Sequence, residues 1–248
     1  MGRVFVIPDI HLKPWIFDNA EIILDKEKCD EIVFLGDLVD DWGCQSNIPL
    51  YDKTFDRAER FIKDHPRIKW CYGNHDVSYL WNKYESGFSW LAQETVVRRM
   101  HRLEEILKDN IAFIHKIDKT IFSHAGLTKS FVSKIIKDET DFNRYGEIEK
   151  LIRKINGMSS FFMWDDDSPI WARPQYNGLQ ELFGICYFQV VGHTPVKETL
   201  FEGSLLTVDN FSTYPDGKPI GNESFIIIDS TTTKFMEFRS PNVGSVKS

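Results

Sequence analysis

No apolar stretch in this 248-residue chain approaches the roughly 20 residues that a membrane-spanning helix requires, so no transmembrane segment is expected. Cysteine is sparse. Cys29, Cys44, Cys71 and Cys186 are scattered and form no C-x-x-C pair, which points to reduced, mostly buried thiols rather than a disulfide framework. Positive charge is in deficit, with 30 lysines and arginines against 37 aspartates and glutamates and a formal net charge of -7. That balance disfavours a nucleic-acid coat or an anionic membrane surface as partner. It leaves a phosphorylated substrate open, because bound metal ions invert the potential locally. No internal repeat is visible, and no linker is long enough to separate domains. Met1-Gly2-Arg3 runs straight into strand-like Val4-Phe5-Val6-Ile7, so neither a signal peptide nor N-myristoylation is expected, and the expected location is cytoplasmic.

What is present is ordinary globular material, 42% hydrophobic and 27% charged, able to bury a substantial core. Its organising stretch is Ile32-Val33-Phe34-Leu35-Gly36-Asp37. Four apolar residues followed by Gly-Asp read as a buried parallel strand whose tip delivers one carboxylate into a crevice. A buried carboxylate is costly unless something positive meets it, which makes Asp37 a candidate for a ligand shared between two metal ions.

Taken in order, Arg3 to Pro8 predicts a strand, Phe17 to Lys26 a helix and Glu31 to Leu35 a second strand. Phe55 to Lys63 predicts a helix stopped by Pro66, and Arg67 to Tyr72 a third strand. This β-α-β-α-β order implies a parallel sheet covered by helices, with functional residues at the carboxyl ends of its strands. A longer helix is expected over Phe88 to Lys108, and a hairpin from Ile111–Ile117 and Lys119–Phe122 turning at Asp118. Thr128 to Lys137 and Tyr145 to Ile155 read as helices, the second with a solvated charged face. Gly157 to Gln175 reads as an aromatic, acidic loop bordering a site, and Tyr187 to Val191 as a strand. Short antiparallel strands are expected at Glu198–Phe201, Leu205–Asp209, Ser224–Asp229 and Lys234–Phe238. Residues 1–240 are expected to form one domain, with helical and loop cap elements around 77–110 and 128–185, and 241–248 a flexible tail.

Asp9, His11, Asp37, Asn74, His124 and His193 all stand just beyond the ends of expected strands. They are hard oxygen and borderline nitrogen donors of the kind that hold Mn, Fe or Zn. Each motif is common alone; six such placements together point to a metal site. Asp165-Asp166-Asp167 reads as a solvated loop, since three adjacent carboxylates cannot all face one ion, and His65, His101 and His115 are not expected to be ligands.

The ordered set Asp9-x-His11, Gly36-Asp37-Leu38-Val39-Asp40, Gly73-Asn74-His75-Asp76, His124-Ala125-Gly126 and Gly192-His193-Thr194 resembles the calcineurin-like metallophosphoesterase superfamily. Gly-Asp-x-Val-Asp, His-Ala-Gly and Gly-His-Thr-Pro are similar to its phosphoprotein phosphatase branch, which includes bacterial and phage serine/threonine phosphatases. The resemblance implies an α/β fold, a two-sheet sandwich of mixed parallel and antiparallel strands flanked by helices. It implies two divalent ions, manganese foremost and iron, zinc or magnesium as alternatives. Asp9, His11, Asp37 and His193 would hold one ion, and Asp37, Asn74 and His124 the other. Such a pair clamps a phosphoryl group and lowers the pKa of a bound water from about 15.7 toward 7, giving an attacking hydroxide.

The same resemblance makes His75 the general acid and Asp40 its orienting carboxylate. Asn74 and Arg173, the latter within Trp171-Ala172-Arg173-Pro174, would contact substrate phosphate. Asp76 reads as a turn or cap residue of the following helix. Pro8 and Leu12 stand where the branch has glycine, Asp76 where it has glutamate, and Asp41 where it has a phosphate-binding arginine. An anion in place of that arginine weakens the case for a dianionic phosphomonoester. The expected function is therefore metal-dependent phosphoester hydrolysis of a serine/threonine-phosphatase-like kind, acting on a phosphoprotein, small phosphate ester or nucleotide. The alternatives are a dinucleoside-polyphosphate or cyclic-nucleotide hydrolase and a non-catalytic scaffold of the same fold.

Overall fold

The first strand, β1 (Arg3–Ile7), is apolar on both faces, and the two faces enter different cores: Val4 and Val6 join one cluster, Phe5 and Ile7 another. A strand with that pattern must lie inside a layered structure. A computed structural model describes residues 2–136, 147–184 and 186–241 of the chain, and the tail expected over 241–248 lies, apart from Pro241, outside the described residues. The remaining strands are β2 (Glu31–Phe34), β3 (Ile68–Cys71), β4 (Ile111–Ala112), β5 (Ile114–Ile117), β6 (Thr120–Ser123), β7 (Phe188–Val191), β8 (Leu200–Glu202), β9 (Leu205–Thr207), β10 (Ser224–Asp229) and β11 (Phe235–Arg239). The helices are α1 (Trp15–Leu24), α2 (Ile48–Asp64), α3 (Asn74–Trp81), α4 (Gln93–Leu107), α5 (Lys129–Ile135) and α6 (Glu147–Asn156), with one-turn pieces α7 (Ser160–Met163) and α8 (Pro174–Asn177).

Two sheets face each other. The first has the order β11-β10-β1-β2-β3-β4, with β1 to β4 parallel and β10 antiparallel to β1. The second has the order β5-β6-β7-β9-β8, with β6, β7 and β9 parallel between antiparallel edges. Val4, Val6, Val33 and Ile226 of the first sheet meet Phe122, Val190 and Leu206 of the second. On the outer face of the first sheet, Phe17 of α1, Phe55 and Phe61 of α2 and Met100 and Leu103 of α4 cover Phe5, Phe34 and Trp70. On the outer face of the second, Phe131 of α5 and Ile148, Leu151 and Ile155 of α6 cover Ile114 and Ile121. The charges of α6 face outward, Glu149 pairing with Lys116 at 2.8 Å and Glu147 with Lys150 at 2.8 Å. No helix among the described residues is long and apolar enough to cross a membrane.

The expected α/β sandwich with mixed strands is the fold observed, with local differences. Ile114–Ile117 forms the expected hairpin with β6 about Asp118, but Ile111–Ala112 does not join it: the chain crosses between sheets at buried Phe113, so β4 ends the first sheet and β5 begins the second. The crossing is stabilised by Asn156, whose Oδ1 accepts the Ile114 N–H at 3.0 Å and whose Nδ2 donates to the Ile114 carbonyl at 2.9 Å. The expected antiparallel pairing is found for β8 with β9 and for β10 with β11, but on its other side β9 runs parallel to β7. Helix α2 begins at Ile48, seven residues before the expected Phe55, because Asn47 accepts the Leu50 N–H at 3.3 Å and Pro49 fits the first turn.

Replacing Asn156 by Ala leaves both polar groups of Ile114 without these partners. The expected loss of stability is about 1–3 kcal/mol, read from the urea unfolding midpoint. A midpoint equal to the parent would show that the crossing does not depend on this side chain.

Candidate metal centre

Every interior parallel strand delivers a polar side chain at its carboxyl end. Asp9 and His11 follow β1, Asp37 follows β2, and Asn74 opens α3 after β3. His124 follows β6, His193 follows β7 and Asp209 follows β9. The turns that carry them are tight. Gly36 has φ 101°, and a Cβ there would run into the backbone of Gly73. A Cβ on Gly73 would run into the Asp37 carboxylate, and one on Gly192 into the Asp9 carboxylate. His11 (φ 45°), Leu12 (φ 55°), Asp37 (φ 56°), Asp40 (φ 65°) and His193 (φ 60°) all adopt the left-handed region. Each such residue costs on the order of 1–2 kcal/mol, and surrounding bonds must hold it there. Ile10 and His11 both donate their N–H to the Asp37 carbonyl, at 3.0 and 2.9 Å. The Asp76 carboxylate accepts the N–H groups of Asp37 (3.0 Å), Leu38 (2.9 Å) and Gly73 (3.1 Å). Asp76 is thus a cap that ties two loops together.

The six expected ligands are brought together. The Oδ2 of buried Asp37 lies 3.2 Å from His124 Nε2 and 3.8 Å from His11 Nε2. His124 Nε2 is 2.9 Å from Asn74 Oδ1 and 3.1 Å from His193 Nδ1. Asp9 Oδ2 is 4.0 Å from His11 Nε2 and accepts the His193 N–H at 3.0 Å. Two groups of donor atoms, each within 4.8 Å of one another, share Asp37: His11, Asp37 and His75, and Asp37, His124 and His193. The ring of His193 lies against His124, with Nδ1 3.1 Å from His124 Nε2, and its backbone N–H serves Asp9.

Buried carboxylates and imidazoles crowd the centre and shift one another's protonation. Against the cost of burial, His124, His75 and His11 hold Asp37 well below the usual carboxylate range. Burial, with Asp209 and Asp37 nearby, pushes Asp9 well above that range. Burial opposes charge on His124, yet Asp37 and Asp9 push it up to about 9. Burial takes His193 well below the histidine range, and His124 and Arg173 add to the effect. Asp9 Oδ1 and His193 Nε2 are buried without a hydrogen-bond partner. Orphans of this kind cost about 1–3 kcal/mol each, and a cation held at Asp9 satisfies the carboxylate oxygen. The oxygen and nitrogen donor set and the shared carboxylate fit a pair of divalent ions.

A cavity of about 350 Å³ opens over the centre, lined by His75, Asn74, Arg173 and His193. His75 Nδ1 lies 3.1 Å from Asp40 Oδ2, and Asp40 Oδ1 accepts the hydroxyls of Tyr51 (3.0 Å) and Tyr79 (2.5 Å). Burial lowers the affinity of His75 for a proton, but Asp37, Glu85 and Asp40 outweigh it and raise the imidazole well above the ordinary range. Arg173 Nη1 donates to the His193 carbonyl and to Thr194 Oγ1, both at 3.2 Å. Asp165 and Asp167 are half-buried and pair with Lys134 at 2.8 and 3.0 Å, outside the lining of the cavity over the centre. His115 bonds the Trp70 carbonyl at 2.9 Å, and burial lowers it to about 4.

Asp209 and Glu85 also line the cavity and were not foreseen. Asp209 stands two residues beyond β9, the same relation as Asp9 to β1, so the strand-tip rule could have found it. Glu85 lies in an irregular loop after α3, where the sequence gives no signal. Asp41, in the place of a phosphate-binding arginine, is fully engaged. Its Oδ2 pairs with Lys13 at 3.0 Å, and its Oδ1 accepts Thr213 Oγ1 at 3.0 Å and the Trp42 N–H at 2.9 Å.

A family model described as calcineurin-like phosphoesterase matches residues 2–197. No curated protein matches the chain. A solved structure titled as a cold-active protein tyrosine phosphatase superposes with a TM-score of 0.51 and 15% identity, covering 96% of this chain and 78% of that one. A metallophosphoesterase from Sphaerobacter thermophilus superposes with a TM-score of 0.45 and 13% identity, covering 96% and 87% of the two chains. At such identities the likeness shows the fold alone.

Two outcomes are expected of this arrangement. Manganese at 100 times its dissociation constant should stabilise the protein by about 2.7 kcal/mol per bound ion, seen as a rise in melting temperature that EDTA reverses. Asp76→Ala, which strands three buried N–H donors, should cost at least about 3 kcal/mol in urea unfolding. A melting temperature indifferent to both manganese and EDTA would contradict the first expectation, and a loss below 1 kcal/mol, on the order of one surface contact, the second.

Proposed function

The chain belongs to the calcineurin-like phosphoesterase family, a family of dinuclear-metal hydrolases, and from that premise we propose that it cleaves phosphate monoesters in the manner of serine/threonine phosphatases. The observation that carries the reading is the convergence of His11, His75 and His124 on the single carboxylate of Asp37, with Asp40 behind His75. Asp9, His11 and Asp37 are assigned to one ion, and Asp37, Asn74, His124 and His193 to the other. When bound, such a pair supplies Lewis acidity that activates water and polarises the phosphoryl group. Manganese is the proposed metal, on the mixed oxygen and nitrogen donor set.

The protein's own groups then do the rest. His75 has Nδ1 engaged by Asp40, so Nε2 is the nitrogen left to protonate the leaving oxygen. Tyr51 and Tyr79 fix Asp40, and Asp40 fixes the imidazole orientation. Arg173, anchored through Nη1 beside His193, has donors left for equatorial phosphate oxygens. Asn74 lies where it can face both ion and substrate. A cytoplasmic location is part of the same proposal.

A second reading, a nucleotide phosphohydrolase, draws support from the cavity wall. Trp42, Trp171 and Tyr214 line it, and Arg173 is the one arginine among the lining residues. Flat apolar walls with few cations suit a base better than a highly charged headgroup.

His75→Asn should leave the manganese content unchanged and slow turnover by about 10²–10⁴-fold. Undiminished turnover would remove His75 from the acid role. With manganese present, a phosphopeptide, an aryl phosphomonoester, a phosphodiester and a dinucleoside tetraphosphate separate the readings by which one is hydrolysed fastest. Tight manganese binding with no hydrolysis of any of the four would leave the scaffold reading.

A further inference from the structure

Asparagine is an awkward metal ligand. Its amide presents an oxygen that can coordinate a cation and, on the other side of nearly the same shape, a nitrogen that cannot. Something has to choose between the two orientations. In this protein Asn74 Nδ2 donates to Glu85 Oε2 at 2.7 Å, while Asn74 Oδ1 points to the place where His124 Nε2, His193 Nδ1 and Asp37 Oδ2 converge. In its ionised form Glu85 is an acceptor only. Turning the amide over would set Oδ1 against a carboxylate oxygen and aim N–H groups at the ion. The contact is short and charge-assisted, and the Glu85 side chain is 9% exposed, so water competes weakly for it. The loop that carries Glu85 is itself seated on the catalytic residues: a Cβ on Gly87 would touch Asp40 Cβ at 3.4 Å and His75 Cε1 at 3.7 Å.

We propose that Glu85 is a positioning residue for the metal centre, holding the Asn74 amide with its oxygen toward the second ion. The inference rests on the dinuclear reading given above and assigns a role to a side chain outside the ligand set. Outer carboxylates that orient ligands are worth about 10–100-fold in metal affinity.

The test is a calorimetric titration of the metal-free protein with manganese, for the parent and three variants. Turnover is a poor readout, because Glu85 Oε1 also lies 3.9 Å from His75 Nδ1 and reports on both contacts at once. Glu85→Ala should weaken the second ion by about 10–100-fold and leave the first within a few-fold. Glu85→Gln, whose amide oxygen still accepts the Asn74 N–H, should restore second-ion affinity to within a few-fold of the parent. Glu85→Asp keeps the charge but is one methylene shorter, and should lose affinity as Ala does; it also serves if the Ala variant does not fold. Unchanged second-ion binding in the Ala or Asp variant, or equal weakening of both ions, overturns the inference while leaving the metal centre standing. A parent protein that takes up fewer than two ions overturns the dinuclear reading, and this inference falls with it.

Discussion

Carboxylates forced together without water govern this structure. Asp9, Asp37 and Asp209 are buried, and their mutual repulsion has to be met by cations or protons. Burying one unpaired carboxylate costs several kcal/mol, and three in one place would not persist without compensation. Part of that compensation is supplied by His124, His75 and His11, and part by backbone N–H groups such as those of His75 and His193. What is left over, the orphaned oxygen of Asp9, draws a cation to the site.

The two-sheet fold makes this crowding feasible. Parallel strands release the chain at one edge, so β1, β2 and β3 deliver three loops to the same line, and β6, β7 and β9 deliver three more from the facing sheet. Neither sheet alone could surround an ion. The left-handed residues at 11, 12, 37, 40 and 193 are the local cost of bending the ends of β1, β2 and β7 inward within a few residues. That cost is met by bonds between loops rather than within them, such as the Asp37 carbonyl receiving two N–H groups from the β1 loop.

Much of the centre was legible because its chemistry is written in short motifs directly after apolar runs. Asp9, His11, Asp37, Asn74, His124 and His193 each follow a strand that burial pattern alone predicts. Which neighbours the ring of His193 meets is not legible in the sequence, because spacing along the chain cannot say which way a ring faces across the gap between sheets. Glu85 was invisible for a related reason. Its role depends on a loop folding back eleven residues onto Asn74, a path set by Gly87 and the packing of Phe88 on Tyr79 rather than by any periodic signal. The division of Ile111–Ile117 between two sheets likewise follows from a long-range partner, Asn156, that no local pattern announces.

The residues that depart from the phosphatase pattern turn out to be compensated rather than merely different. Leu12 holds a left-handed conformation that glycine would adopt freely, but its side chain is buried in the core beneath α1 and α2, and that burial offsets the strain. Asp41 brings an anion to a rim that would otherwise hold an arginine, yet Lys13 neutralises it, and Thr213 and Trp42 take its remaining lone pairs. The result is a strap: the loop after β2 is tied to the loop after β9, which sets Trp42 and Tyr214 on the same cavity wall. A phosphate entering this cavity meets one guanidinium, from Arg173, and then the metal ligands. Charge that an arginine-rich rim would supply at the entrance must here come from the centre itself, so substrate affinity is tied to metal occupancy more closely than in a site with its own ring of cations.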